Sequence, residues 1–291
     1  MHILLVSLVV LFFSQESVKG LKMASFNIQN FGVKKTRNPE LMAVLGKIIR
    51  RYDAVFIHEI RDKSQSAFQA LLNAVNGNER TWSNAPTGPR GRFCGRKITR
   101  RYVGHVGPRY GRTASKEQVG LIYRPDKIEL AGNYTMNGLD KAFERPPYCY
   151  LLSAKKDGFK FASLAVHIDP DVVFAEMETL YKVAPKCVAM AHTENLIILG
   201  DMNAGCGYLS NRKRELLSLR RDTTYKWLIG DDVDTTVAKS KCAYDRFICK
   251  GAEIIGRVSS AGVFNFLLAY NFTVEKAKTI SDHFPIELDI S

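Results

Sequence analysis

The stretch Leu196-Ile197-Ile198-Leu199-Gly200-Asp201-Met202-Asn203 decides the fold class and points at the chemistry. Four branched apolar residues stand in a row with no polar alternation. Both faces of this segment are therefore buried, as in a central strand of a layered α/β protein. The run then stops at a carboxylate. Burying a carboxylate is costly unless it is paired or holds a metal ion. In α/β sheets such residues collect at one edge, where sites form.

Outward from this stretch, the same ending recurs along the chain. Ala24-Ser25-Phe26 ends in Asn27, Val55-Phe56-Ile57-His58 in Glu59, and Ser163-Leu164-Ala165-Val166 in His167. Ala243-Tyr244 precedes Asp245, and Ser281 precedes Asp282 and His283. Taken singly, an edge Asp reads as a turn or cap residue; the set carries the functional reading. The apolar patterns predict strands over Lys22–Ile28, Ala54–Ile60, Val119–Tyr123, Phe159–His167, Leu196–Gly200 and Ile286–Ile290. Helical spacing appears in Leu41, Val44, Leu45 and Ile48 behind Asn38-Pro39, and again in Phe68, Leu71, Leu72 and Val75. Val173, Met177, Leu180 and Ala184 mark a third helix, expected to end at Pro185. Strands and helices alternate, with some strands paired directly, which predicts an α/β protein with mixed sheets. No repeat, low-complexity linker or composition shift divides the chain.

The 291 residues carry 42 Lys and Arg against 29 Asp and Glu, a net charge of +13, with 46% apolar residues. That composition excludes a disordered chain and points to a polyanionic partner. Nine basic residues and no acid lie between Gly88 and Lys116, interleaved with Phe93, Tyr102 and Tyr110. This segment is expected to be a loop that holds phosphates and stacks bases. Ile3–Phe13 is too short to span a bilayer and fits a secretory signal over residues 1–20, with the catalytic domain over 21–291. No other segment is long enough to cross a membrane. Secretion permits disulfides among Cys94, Cys149, Cys187, Cys206, Cys242 and Cys249, and spacing does not choose the pairs. Asn133-Tyr134-Thr135 and Asn271-Phe272-Thr273 are candidate glycosylation sequons.

Asn27, Glu59, Asp201, Asn203 and Asp282 are hard oxygen donors suited to Mg²⁺ or Mn²⁺. His167 and His283 are candidate acid/base groups. A divalent ion, two histidines and a basic surface fit hydrolysis of a phosphodiester.

All of these residues except His167 lie in stretches that resemble the secreted deoxyribonuclease I family of the endonuclease/exonuclease/phosphatase superfamily. The matching stretches are Leu21–Ile28, Ile57–Asp62, Leu199–Ala204, Asp234–Thr236, Cys242–Arg246 and Ser281–Pro285, in the family's order. The resemblance implies a four-layer α/β sandwich, two mixed β-sheets flanked by helices, and a monomer that cuts double-stranded DNA to 5′-phosphate ends. It pairs His167 with Glu117 and His283 with Asp245, and places Asn27, Glu59, Asp201, Asn203 and Asp282 at the metal and the phosphate. It makes Arg61 and Arg145 DNA contacts and pairs Cys206 with Cys242; Arg112 is a further expected DNA contact, from the basic segment itself. The departures are equally specific. The chain is longer than the usual family member between Trp82 and Lys116. Ser115 stands where the family inserts a tyrosine into the minor groove, and Tyr102, Tyr110 or an insert arginine is the expected substitute. Ala238 removes an oxygen from the family's Ca²⁺ loop, which counts against structural calcium. The polar turn Lys63–Ser66 gives no expectation of actin binding. A phosphodiesterase acting on phospholipid head groups and a catalytically silent polyanion-binding protein are the alternative readings.

Overall fold

The computed structural model describes residues 20–77, 101–113 and 115–291. The expected signal segment, Phe93, Cys94 and most of the basic insert lie outside them. Two six-stranded sheets form among the described residues. The first is built from β1 (Leu21–Phe31), β2 (Ala54–Ile60), β3 (Val103–Val106), β4 (Gln118–Tyr123), β11 (Val258–Val263) and β12 (Ile286–Ile290). Its order is β11-β12-β1-β2-β4-β3. The second is built from β5 (Ile128–Thr135), β6 (Tyr148–Ala154), β7 (Lys160–His167), β8 (Leu196–Asp201), β9 (Tyr225–Trp227) and β10 (Asp245–Lys250), in the order β5-β6-β7-β8-β10-β9. Each sheet has a parallel pair at its centre, β1 with β2 and β7 with β8, and antiparallel strands outside it.

Alternation along the strands explains the layering. Ala54 and Phe56 of β2, and Ile197 and Leu199 of β8, face inward into one core between the sheets. Val55 and Ile57 face outward, against α2 (Pro39–Ile49), α3 (Ser66–Val75) and α9 (Val274–Ile280). Leu196 and Ile198 face outward, against α4 (Val173–Ala191). The result is helix, sheet, sheet, helix: the four-layer sandwich. The shorter helices are α1 (Val33–Thr36), α5 (Asn211–Glu215), α6 (Ser218–Arg221), α7 (Ala252–Arg257) and α8 (Phe266–Ala269).

Three expectations are corrected. Helix α4 runs through Pro185 to Ala191. The ring removes one N–H, but Val183, Ala184, Cys187 and Ala191 are all buried against the sheet and hold the helix in register. The basic segment is not wholly loop, since Val103–Val106 forms edge strand β3 against β4. Tyr102 does not replace the missing groove tyrosine. It is buried, and its hydroxyl donates to the Tyr52 carbonyl at 3.0 Å. Cys206 is bonded to Cys242, and a second disulfide joins Cys149 of β6 to Cys187 of α4, while Cys249 is buried and has no disulfide partner among the described residues.

Candidate active site

The sheet topology brings the polar strand ends to one edge. β1, β2, β7 and β8 end there; β4 and β10, antiparallel to their neighbours, begin there. Asp201 is central. It lies opposite His167 on one side and Asp245 on the other in the strand register. Gly200 just before it has φ +136°, and a Cβ there would lie 2.0 Å from the Val166 carbonyl, so no other residue brings β8 this close to β7. Glu59 and Asn203 also have positive φ, at 59° and 48°. Strained non-glycine backbone of this kind persists where surrounding contacts enforce it, often at sites.

Two histidine–carboxylate pairs face each other across Asp201. His167 Nδ1 lies 2.7 Å from Glu117 Oε2, and His283 Nδ1 lies 2.7 Å from Asp245 Oδ2. Both Nε2 atoms turn to the same oxygen, Asp201 Oδ2, at 3.6 and 3.5 Å. Burial opposes protonation of each ring, yet both pKa values are raised. For His167 the Glu117 hydrogen bond overcomes burial, while Arg145 pulls the other way. For His283 the charges of Asp245 and Asp201 carry it up to about 10. Burial alone would raise Glu117. Its bond to His167, with Arg145 and Arg61 close by, brings it down to about 2 instead.

Around this centre the remaining expected residues assemble. Asn27 is fully buried, and its amide donates to Glu59 at 2.9 Å and Asp201 at 3.1 Å. Glu59 also accepts the Asn30 N–H at 2.7 Å. The Asn203 amide donates to the Ile168 carbonyl, and its N–H to Asp201 Oδ1. Asp282 accepts from Gln29 Nε2 at 2.7 Å, and its burial raises its pKa. Arg61 bonds Glu117 at 2.8 Å, and Arg145 Nε bonds the His167 carbonyl at 3.1 Å. Arg112 is turned elsewhere: its guanidinium donates to the Asp140 and Lys141 carbonyls and pairs with Glu144.

Some of the machinery carries no obvious sequence signal. His58 is buried beneath the site with Nε2 2.9 Å from Ser25 Oγ, and burial, then His167, lowers its pKa to about 3, so it is neutral. Lys35 clamps the Ile28 and Ile280 carbonyls at 2.7 Å each, tying β1 to α9. Its position in an exposed-looking Lys34-Lys35 pair hides that role. Ser281 Oγ donates to the Asn27 carbonyl and accepts the His283 N–H, fixing the histidine's backbone.

The oxygen-rich set fits a divalent cation. Among the described residues Asp245 Oδ1 and Asp282 Oδ1 are buried with no hydrogen-bond partner, and Asp201, Asp245 and His283 bring ligand atoms within 4.8 Å of one another. Buried carboxylate oxygens without a donor are costly, and a hard cation offsets that cost. The expected calcium loop closes on itself, since Asp234 Oδ1 accepts from the N–H groups of Thr236 and Cys242 and from the Thr236 hydroxyl.

A sequence profile of the Endonuclease/Exonuclease/phosphatase family matches residues 24–283. Mouse deoxyribonuclease gamma is 34% identical over 98% of this chain and 89% of its own length. Human deoxyribonuclease-1 is 33% identical over 92% of this chain and 91% of its own length. Among solved structures, the endonuclease/exonuclease/phosphatase from Bacteroides vulgatus superposes with a TM-score of 0.62 at 15% identity, covering 93% of this chain and 98% of that one. The catalytic domain of human Nocturnin superposes with a TM-score of 0.58 at 15% identity, covering 94% of each chain. The chain therefore belongs to the deoxyribonuclease I family within the endonuclease/exonuclease/phosphatase superfamily.

Proposed function

We propose that the protein is a secreted, divalent-metal-dependent endonuclease that hydrolyses DNA phosphodiester bonds to 5′-phosphate products. The observation that carries this reading is the pair of imidazoles whose Nε2 atoms converge on Asp201 Oδ2 from opposite sides. One imidazole accepts the proton of the attacking water; the other donates a proton to the departing 3′-oxygen. Glu117 and Asp245 fix the ring orientations and stabilise each imidazolium through Nδ1. Arg61 and Arg145 face the phosphate, where a planar fork suits its oxygens. Asn27, Glu59, Asp201, Asn203 and Asp282 would hold Mg²⁺ or Mn²⁺. The bound ion supplies charge stabilisation for the pentacoordinate transition state.

Two disulfides among the described residues fit an oxidising compartment. Asn133 and Asn271 are both exposed and take N-linked glycans in this reading. The relatives named as deoxyribonucleases favour DNA over lipid head groups. Incubation with supercoiled plasmid and with sphingomyelin vesicles, each with Mg²⁺ or with chelator, tests the assignment. The expected result is Mg²⁺-dependent nicking of plasmid with 5′-phosphate ends, abolished by chelator, and no lipid turnover. Lipid hydrolysis without nicking would overturn it.

A further inference from the structure

Beyond the catalytic edge, two segments carry positive charge and a disulfide holds them together. The Cys206–Cys242 bond joins the chain after β8 to the loop before β10. On the first segment Arg212 and Lys213 of α5 are exposed; on the second, Lys239 and Lys241 are exposed. None of the four has an ion pair or a side-chain hydrogen bond among the described residues. Glu215 is the one acid on α5. The exposed Asp231 carboxylate is shared by three arginines, Arg214 at 3.0 Å, Arg246 at 2.9 Å, and Arg220. Three cations on one carboxylate leave the supporting layer positive as well.

Both segments start inside the catalytic edge. The exposed Tyr208 ring lies 5.2 Å from the Tyr244 ring, which lies 6.3 Å from His283. The Val237 N–H donates to the Asp282 carbonyl at 2.7 Å, and Thr236 pairs with His283 as an isolated bridge. Exposed cations that pair with no acid among the described residues, on two segments tied by a disulfide, suit a ligand that repeats its charge. A phosphodiester backbone does so; a single small anion occupies one or two donors.

We propose that Arg212, Lys213, Lys239 and Lys241 form a rim that binds the DNA backbone flanking the scissile bond on the His283 side. This rests on the nuclease reading above. The rim neutralises phosphates without reading bases, so it strengthens binding to any sequence and steepens its dependence on salt.

The test compares wild type with R212A/K213A/K239A/K241A. Duplex affinity is measured across a KCl series with the divalent ion omitted, beside turnover of duplex and of bis(p-nitrophenyl) phosphate with Mg²⁺. Matching thermal midpoints establish that the variant is folded. The slope of log affinity against log salt is expected to become shallower by roughly 3 to 4, at about 0.9 per phosphate released. The ratio of duplex to small-diester turnover is expected to fall at least tenfold. An unchanged slope with an unchanged ratio would overturn the rim. Failure of the wild type to bind or cut duplex would instead remove the nuclease reading beneath it.

Discussion

The Glu117–His167 and Asp245–His283 pairs share a 2.7 Å bond and differ in everything around it. Glu117 uses both oxygens: Oε1 takes Arg61, while Oε2 takes His167 with Arg145 at 3.8 Å. Asp245 uses one oxygen and leaves the other without a donor. Its histidine looks onto Asp201 and, at 3.9 Å, Asp282. One half of the site is thus rich in cations and suited to the phosphate. The other is rich in carboxylates and suited to a metal ion. The same imidazole–carboxylate unit therefore works in two opposite electrostatic settings. Asp245 and Asp201 drive His283 up to about 10, while the Glu117 hydrogen bond raises His167 against the opposing charge of Arg145.

The largest separation of the halves is expected from removing one carboxylate charge at a time. Asp245→Asn takes away the charge that orients His283 and should lower kcat by about 10³- to 10⁴-fold, as for a buried aspartate behind a catalytic histidine. Glu117→Gln leaves the charges of Arg61 and Arg145 in place beside His167 and should cost about 10²-fold. Single-turnover cleavage of a labelled duplex measures both. Equal losses would mean that the two halves are not divided as described.

Next in size is a difference in alkaline stability of the metal-free protein. A histidine whose folded pKa lies above its unfolded value contributes stability that is full below the unfolded value of 6.5 and is lost as pH rises through the folded one. For His283 that loss falls between pH 6.5 and about 10. Urea titrations across this range should show wild type losing a few kcal/mol more than His283→Gln. His167→Gln should diverge from wild type in the same direction, since its folded pKa is also raised. Parallel curves for wild type and His283→Gln would contradict the assigned environment.

The smallest expected effect on rate concerns the two disulfides, with separations of 36 and 38 residues. Chain entropy gives each roughly 3–4 kcal/mol, so C206A/C242A and C149A/C187A should lose similar stability in denaturant titrations. Only C206A/C242A should slow cleavage, by a few-fold, because that bond holds the loop against Asp282 and His283. A rate loss confined to C149A/C187A would reverse the comparison.

The His283 half was the more legible in the sequence. Asp201, Asp245, Asp282 and His283 each follow or border an apolar run, and a buried strand that stops at a charged residue advertises an edge. Glu117 gave no such signal. It sits between Lys116 and Gln118 at the end of a basic segment, with the apolar residues of β4 after it, so only the family resemblance singled it out. His58 reads as one more inward position of β2, and nothing in its neighbours shows that it would underlie His167 and His283. The central strands were visible because both faces are apolar. β3 was not, because Val103-Gly104-His105-Val106 is half-exposed at a sheet edge, and edge strands need no continuous apolar run. The Cys149–Cys187 pair depends on how α4 lies across β6, which spacing does not encode.

The central claim is that both histidine pairs act on one phosphodiester. Single-turnover cleavage of duplex DNA by His167→Ala, His283→Ala and the double variant tests it most directly. Groups that act as a unit are non-additive. Each single variant should lose about 10²- to 10⁴-fold, and the double variant little more than the worse single one. Wild-type rates in either single variant, or losses that multiply in the double variant, would contradict it.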